Sequence, residues 1–264
     1  PSLHWYYPCA LLPAAHFFQT PHRKQKKIRF WRPLQKQQTT AEQYQNTTPP
    51  QDTTEEHKTY EEAKKGIDET LSKMGLDYLD MMIIHSPQPW VKVNQSDDRY
   101  VEGNRAAWRA LEEAYKEGKL KAIGISNFQI GDIESLMETA EIKPMVNQIL
   151  LHISNTPIEL VDYCQKNDIL VEAYSPIAHG EILNQPEIKA MADKYGVTVP
   201  QLCIRYTIQL GTISLPKTAN PEHMKSNTEV DFEISAEDME ALKNFKKIES
   251  YGASSGFPVY GGRI

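Results

Sequence analysis

From Thr59 onward the apolar positions follow one rhythm, a helical stripe and then a short run of consecutive apolar residues. Ala63, Ile67, Leu71 and Met74 recur at helical spacing and fall on one face. Thr59 followed by Glu62 has the form of a capping box at the start of that helix, and Gly75 ends it. Leu79 to Ile84 reads as a short strand that runs into His85 and Ser86 and is stopped by Pro87. The pattern then predicts a helix over 101–116 with Trp108, Leu111 and Tyr115 on one side, and a strand over 122–126. A helix over 130–139 and a strand over 145–150 follow. Thr156-Pro157-Ile158-Glu159 has the form of a second capping box, opening a helix that ends near Lys166. A strand over 169–174, helices over 186–195 and 200–210, and a strand over 212–215 come next. Asn220-Pro221 starts a short helix, and Ser235 caps the last one.

Alternating strands and helices with short connections imply parallel pairing and right-handed crossovers. The strands are apolar throughout rather than alternating, as expected where both faces are covered. No GxGxxG follows a strand, which argues against a Rossmann site. An open sheet or a (β/α)8 barrel remains. The strand ends decide between them: His85 and Ser86, Ser126 and Asn127, Asn147 and Gln148, Tyr174 and Ser175, Lys217 and Thr218. In a barrel these five ends converge on one face, where such folds keep their sites. The expectation is therefore an α/β chain with a (β/α)8 TIM-type barrel over 59–264, its first two or three β/α units missing or altered.

The first 58 residues break the rhythm. All 13 glycines lie from Gly66 onward. Between Pro1 and Gln51 there are seven Lys/Arg and one acid, Glu42, in a chain of overall charge −6. Residues 35–54, rich in Gln, Thr and Pro, have no apolar periodicity and cannot offset their ordering entropy by burial. A basic interaction tail and a disordered extension are two readings. The third, which accounts best for the catalytic motifs discussed below, is a reading-frame or gene-model fault that replaced the original sequence.

Composition narrows the function. The acidic balance argues against a general nucleic-acid binder, and no apolar run approaches the length of a membrane span. Cys9, Cys164 and Cys203 contain no CxxC, so neither a disulfide framework nor a zinc site is expected, and a reducing cytoplasm is the simplest location. Taken singly, a strand-end histidine is more often structural, Asn147 and Gln148 serve to satisfy backbone, and Lys217 is a solvated charge. Together the strand ends suit one ligand. Tyr174 offers a flat ring for stacking, Ser126, Asn127 and Gln148 can hydrogen-bond a carboxamide, and Lys217 and Thr218 lie just before a helix N-terminus, where a phosphate binds well. These are the needs of a nicotinamide dinucleotide.

The same residues carry a resemblance to the aldo-keto reductase family. It runs through Gly75-Leu76-Asp77-Tyr78-Leu79-Asp80 into Ile84-His85-Ser86-Pro87, then from Trp108-Arg109-Ala110-Leu111-Glu112 through Gly118-Lys119 to Ile123-Gly124-Ile125-Ser126-Asn127-Phe128. It continues in Val146-Asn147-Gln148, Ala173-Tyr174-Ser175-Pro176 and Leu215-Pro216-Lys217-Thr218 through Asn227, so that it covers about residues 59–250. The resemblance implies NADPH-dependent reduction of aldehydes and ketones by a monomer whose partner is a small-molecule carbonyl compound. It implies that His85 orients the carbonyl oxygen. Ser126, Asn127, Gln148, Tyr174 and Ser175 would hold the nicotinamide end, and Lys217, Thr218, His223 and Asn227 the 2′-phosphate end. The family usually has arginine in place of His223, and a neutral imidazole grips phosphate less well, so NADH becomes an alternative cofactor. Trp90 and Phe257-Pro258-Val259-Tyr260 are expected to border the substrate pocket. The family's Asp, Tyr and Lys, which complete the catalytic set, have no match in residues 1–58. A catalytically inactive nucleotide-binding or regulatory module is therefore the second reading, and a basic-tail interaction protein the third.

Overall fold

Parallel strands that are apolar on both faces need helices against them, and that is how residues 59–89, 93 and 96–260 are arranged in the computed structural model. Helix α1 (Tyr60–Met74) leads into β1 (Met82–Ile84), α2 (Val101–Lys116), β2 (Ile123–Ser126), α3 (Ile130–Met137) and β3 (Val146–Leu150). Then come α4 (Ile158–Lys166), β4 (Leu170–Tyr174), a 3-10 segment (Ala178–Asn184), α5 (Pro186–Tyr195) and α6 (Val199–Gln209). Strand β5 (Ile213–Leu215), α7 (Pro221–Ser226), α8 (Ala236–Lys243) and a second 3-10 segment (Gly252–Gly256) complete the described chain. The five strands pair in chain order, β1-β2-β3-β4-β5, all parallel. This is an arc of the (β/α)8 barrel that the sequence pattern predicts. The expected alteration of the first units and the segment 1–58 lie outside the described residues.

Local chemistry sets most element ends. Thr59 Oγ1 accepts from the Glu62 amide at 3.2 Å, Glu62 Oε2 accepts from the Thr59 amide at 3.3 Å, and Gly75 closes α1 in the left-handed conformation. The expected capping box at Thr156 does not form. Its Oγ1 hydrogen-bonds His152 O at 3.2 Å and the Tyr206 hydroxyl at 2.7 Å, and Pro157 stands at the N-cap instead. A capping box forms instead at Thr198 and Gln201, and α6 begins at Val199, one residue ahead of the expected start.

Register sorts the strand residues onto two faces. Gln148 on β3 lies opposite Ser126 on β2 and Glu172 on β4, so the three share the inner face of the arc. The outer face carries Ile84, Ile123, Ile125, Ile149, Val171 and Ala173, packed against the helices with Trp108, Leu111 and Phe128. Trp108 Nε1 donates to Ile142 O at 3.0 Å, which satisfies the buried indole. Gly124 is required by packing: a Cβ there would stand 2.3 Å from Val146 Cγ2 and 2.9 Å from Val146 O.

Candidate active site at the strand ends

The C-terminal ends of β1 to β4 are tied together by one hydrogen-bonded chain. Asn127, just past β2, donates from Nδ2 to His85 O at 3.0 Å and to Ser126 Oγ at 3.0 Å. Ser126 Oγ donates to Gln148 O at 2.8 Å. The Tyr174 hydroxyl at the end of β4 donates to Asn127 Oδ1 at 2.8 Å. Burial holds that hydroxyl well above its ordinary pKa, with Tyr260 and Tyr251 adding to the shift, so Tyr174 stays a donor. His85 is half-buried beside this chain. The strand ends that carry His85, Ser126, Asn127, Gln148 and Tyr174 thus lie together, with His85 and Gln148 joined through their backbone oxygens.

Backbone conformation marks the same place. Asn127 and Ser175 have φ of 61° and 53°, and Ala178 and His179 have 47° and 53°. Left-handed non-glycine residues persist where the surroundings over-determine them, and such strain gathers at functional sites.

Below the rim, Gln148 Nε2 donates to Glu172 Oε2 at 2.8 Å. Gln148 and Glu172 are 8% and 6% exposed, which makes Glu172 a buried acid in an otherwise apolar strand. Burial raises its pKa, and the Gln148 hydrogen bond opposes the shift. Sequence reasoning missed this residue; the signal was a lone acid between Val171 and Ala173. Asn147, one residue before Gln148, faces the other way and donates to Phe128 O at 3.0 Å.

The C-terminal segment closes on the β4 end. Ser175 Oγ pairs with the Tyr260 hydroxyl at 2.9 Å and with His179 Nε2 at 3.3 Å. The Tyr260 ring stands edge-on to Tyr174 and to His179, with centroids 6.4 and 4.4 Å apart. His179 Nδ1 also meets Ser254 Oγ at 3.1 Å. Burial lowers the His179 pKa, and the charge of Lys217 adds to this. Beneath them the buried His152 pairs through Nε2 with the Tyr251 hydroxyl at 3.1 Å. Desolvation lowers the His152 pKa to about 4, against a smaller opposing effect from its bond to Ile153 O.

The β5 end is more open. Lys217 is exposed, and Thr218 Oγ1 accepts from the Asn220 amide at 3.1 Å. Asn220 caps α7 by accepting from the Glu222 amide at 2.9 Å, with His223 exposed on that helix and Asn227 buried just beyond it. Trp90 lies outside the described residues. Among the described residues no group of His, Cys, Asp and Glu is arranged to hold a metal ion, and no helix is long and apolar enough to cross a membrane.

The hydrogen-bond inventory fits a nicotinamide carboxamide. Asn127 spends both amide hydrogens on His85 O and Ser126 Oγ, and Ser126 spends its hydroxyl hydrogen on Gln148 O. Among the described residues Gln148 Oε1 accepts nothing. What remains at the rim is mainly acceptor capacity, which suits the two N–H donors of a carboxamide.

The Aldo/keto reductase family model matches residues 49–247. The chain is 44% identical over 185 residues to the uncharacterized oxidoreductase YtbE of Bacillus subtilis, covering 69% of this chain and 61% of that one. It is 38% identical over 194 residues to the glyoxal reductase of the same organism, covering 73% and 66%. It thus spans less than two thirds of the length of these curated relatives. Among solved structures, an aldo-keto reductase from a Medee basin deep-sea metagenome library superposes with a TM-score of 0.64 at 34% identity, covering 72% of this chain and 68% of that one. A Bombyx mori aldo-keto reductase in complex with NADP gives 0.64 at 29% identity, covering 79% and 72%.

Proposed function

This chain belongs to the aldo/keto reductase family, and from that premise we propose that residues 59–264 form a barrel domain that binds NADPH and descends from an enzyme reducing aldehydes and ketones to alcohols. The observation that carries the reading is the chain Tyr174–Asn127–His85 O, which fixes the ends of β4, β2 and β1 relative to one another. Bound there, the dihydronicotinamide would supply a hydride. Tyr174 would offer its ring for stacking and Gln148 Oε1 an acceptor for the carboxamide. His85 would orient a carbonyl oxygen. Lys217, Thr218, His223 and Asn227 would meet the phosphate end, where an exposed His223 discriminates weakly between NADPH and NADH. The named relatives include a glyoxal reductase, which supports a small carbonyl substrate. We take the protein to act as a cytoplasmic monomer.

A second reading, a nucleotide-binding module without turnover, is favoured by the sequence upstream of Thr59. The family's proton-donating Tyr and the Lys and Asp that tune it have no match in residues 1–58, and Tyr174 is assigned to stacking rather than to proton transfer. Titration of the full chain with NADPH, followed by steady-state assay against an aldehyde panel, separates the two. Saturable binding with turnover supports the reductase, and saturable binding without turnover the module. Absence of binding at near-millimolar protein overturns both.

A further inference from the structure

We propose that Glu172 is a positioning residue for the nucleotide site: from the inner face of β4 it fixes the side-chain amide of Gln148 so that Oε1, rather than Nε2, is offered to the carboxamide of a nicotinamide ring. The inference rests on the nicotinamide reading above and goes beyond it, because no residue of the strand-end set performs this selection.

The two edges of a glutamine amide have nearly the same shape and opposite hydrogen-bonding character, so a glutamine in a pocket recognises nothing specific until something chooses the edge. Here a neighbour makes the choice. Register sets Glu172 directly opposite Gln148 on the adjacent strand. The Gln148 Nε2 to Glu172 Oε2 distance is 2.8 Å. A carboxylate has only acceptors, so it takes the Nε2 edge and turns Oε1 away. A flipped amide would set two oxygens against each other at hydrogen-bond distance.

The placement is poorly explained by stability alone. Glu172 is 6% exposed and has no cationic partner among the described residues. Burying a carboxylate without a cation costs free energy and raises its pKa, and the amide hydrogen that Gln148 donates to it opposes that shift and favours the acceptor form. The neighbouring positions Leu170, Val171 and Ala173 are apolar, and an apolar side chain at 172 would continue that strand. What Glu172 adds is the orientation of one amide at the cofactor rim.

The test compares two cofactors that differ only in the group Gln148 would read: NADP+ and its 3-acetylpyridine analogue, in which a methyl ketone replaces the carboxamide and no N–H remains. Binding of each is followed by quenching of intrinsic fluorescence in wild type, Glu172→Leu, Glu172→Gln and Gln148→Leu. Wild type is expected to favour NADP+ by about 3- to 10-fold, the worth of one net hydrogen bond. Glu172→Leu should lose most of that preference while keeping its affinity for the analogue, as Gln148→Leu does. Glu172→Gln offers both edges to its neighbour and should fall between. If Glu172→Leu does not fold, Glu172→Gln carries the test. Undiminished preference in the folded variant overturns the positioning role, with the nicotinamide reading intact. If wild type binds neither cofactor, the nicotinamide reading fails first and takes this inference with it.

Discussion

The Tyr174 hydroxyl donates to Asn127 Oδ1 at 2.8 Å, joining the end of β4 to the turn after β2 across the intervening strand β3. Asn127 sits there in the left-handed region, at φ 61°, with both amide hydrogens engaged. Tyr174→Phe removes the donor and keeps the ring. The variant should lose about 1 kcal/mol of stability, the worth of one intramolecular hydrogen bond, while retaining most of its affinity for NADPH. Tyr174→Ala should lose both. Urea denaturation and NADPH titration read the two effects separately, and equal affinity in the Phe and Ala variants would count against stacking on this ring.

Gly124 makes a different prediction, about packing alone. Its α-carbon lies so close to β3 that an added methyl would overlap Val146 Cγ2 at 2.3 Å and crowd Val146 O at 2.9 Å. Val146 is buried and β-branched, so its side chain has little freedom to give way. Gly124→Ala should destabilise by about 1–3 kcal/mol, the usual range for overpacking. Gly131→Ala, where a Cβ meets nothing within 4 Å, is the control. Equal urea midpoints for the two variants would show that the strands can part.

These two positions also show what the sequence can and cannot reveal. The caps at Thr59, Asn220 and Ser235 are local, and each forms where the spacing of side-chain acceptors predicts. The convergence of strand ends follows from the order of apolar runs. Strand alternation alone would have separated Gln148, which faces the site, from Asn147, which serves Phe128 O. The long-range pairs have no such signal. Tyr251 meets His152 from 99 residues away, and Tyr260 meets Ser175 from 85. The failed box at Thr156 has the same cause, since Tyr206 takes its hydroxyl from 50 residues away. A tertiary contact from α6 overrides the local motif there.

Cofactor preference should be adjustable at one exposed residue. His223 lies on α7 close behind Lys217 and Thr218 in the chain, and its imidazole lacks the paired, parallel N–H donors of a guanidinium. Arginine presents a charged fork that can bind a phosphate through two hydrogen bonds. His223→Arg should raise the affinity for NADPH relative to NADH by roughly 5- to 10-fold, within the range for a charge-assisted hydrogen bond at an exposed site. The ratio of the two dissociation constants is the measurement. A parallel rise for both cofactors would mean that the new charge attracts the shared diphosphate and that His223 does not meet the 2′-phosphate.

The acid limb of stability should be governed in part by His152. Its folded pKa is about 4 against an ordinary value of 6.5, because burial excludes the charged ring, while Nε2 meets the Tyr251 hydroxyl. The other titratable group acting on it is His179, whose charge would lower it further. Between those two pKa values the unfolded chain binds the proton and the folded chain does not, so acidification draws the equilibrium toward unfolding. The stabilisation is complete above pH 6.5 and is lost as pH falls toward 4, amounting to roughly 3 kcal/mol over that window at 1.36 kcal/mol per pKa unit. His152→Gln keeps a donor for Ile153 O and an acceptor for Tyr251 but cannot titrate. Its unfolding free energy should therefore fall less steeply between pH 6.5 and 4 than that of wild type. The His179 contribution has the same sign and remains in both proteins. Parallel slopes for the two proteins would assign the acid sensitivity to other groups and remove His152 from the account.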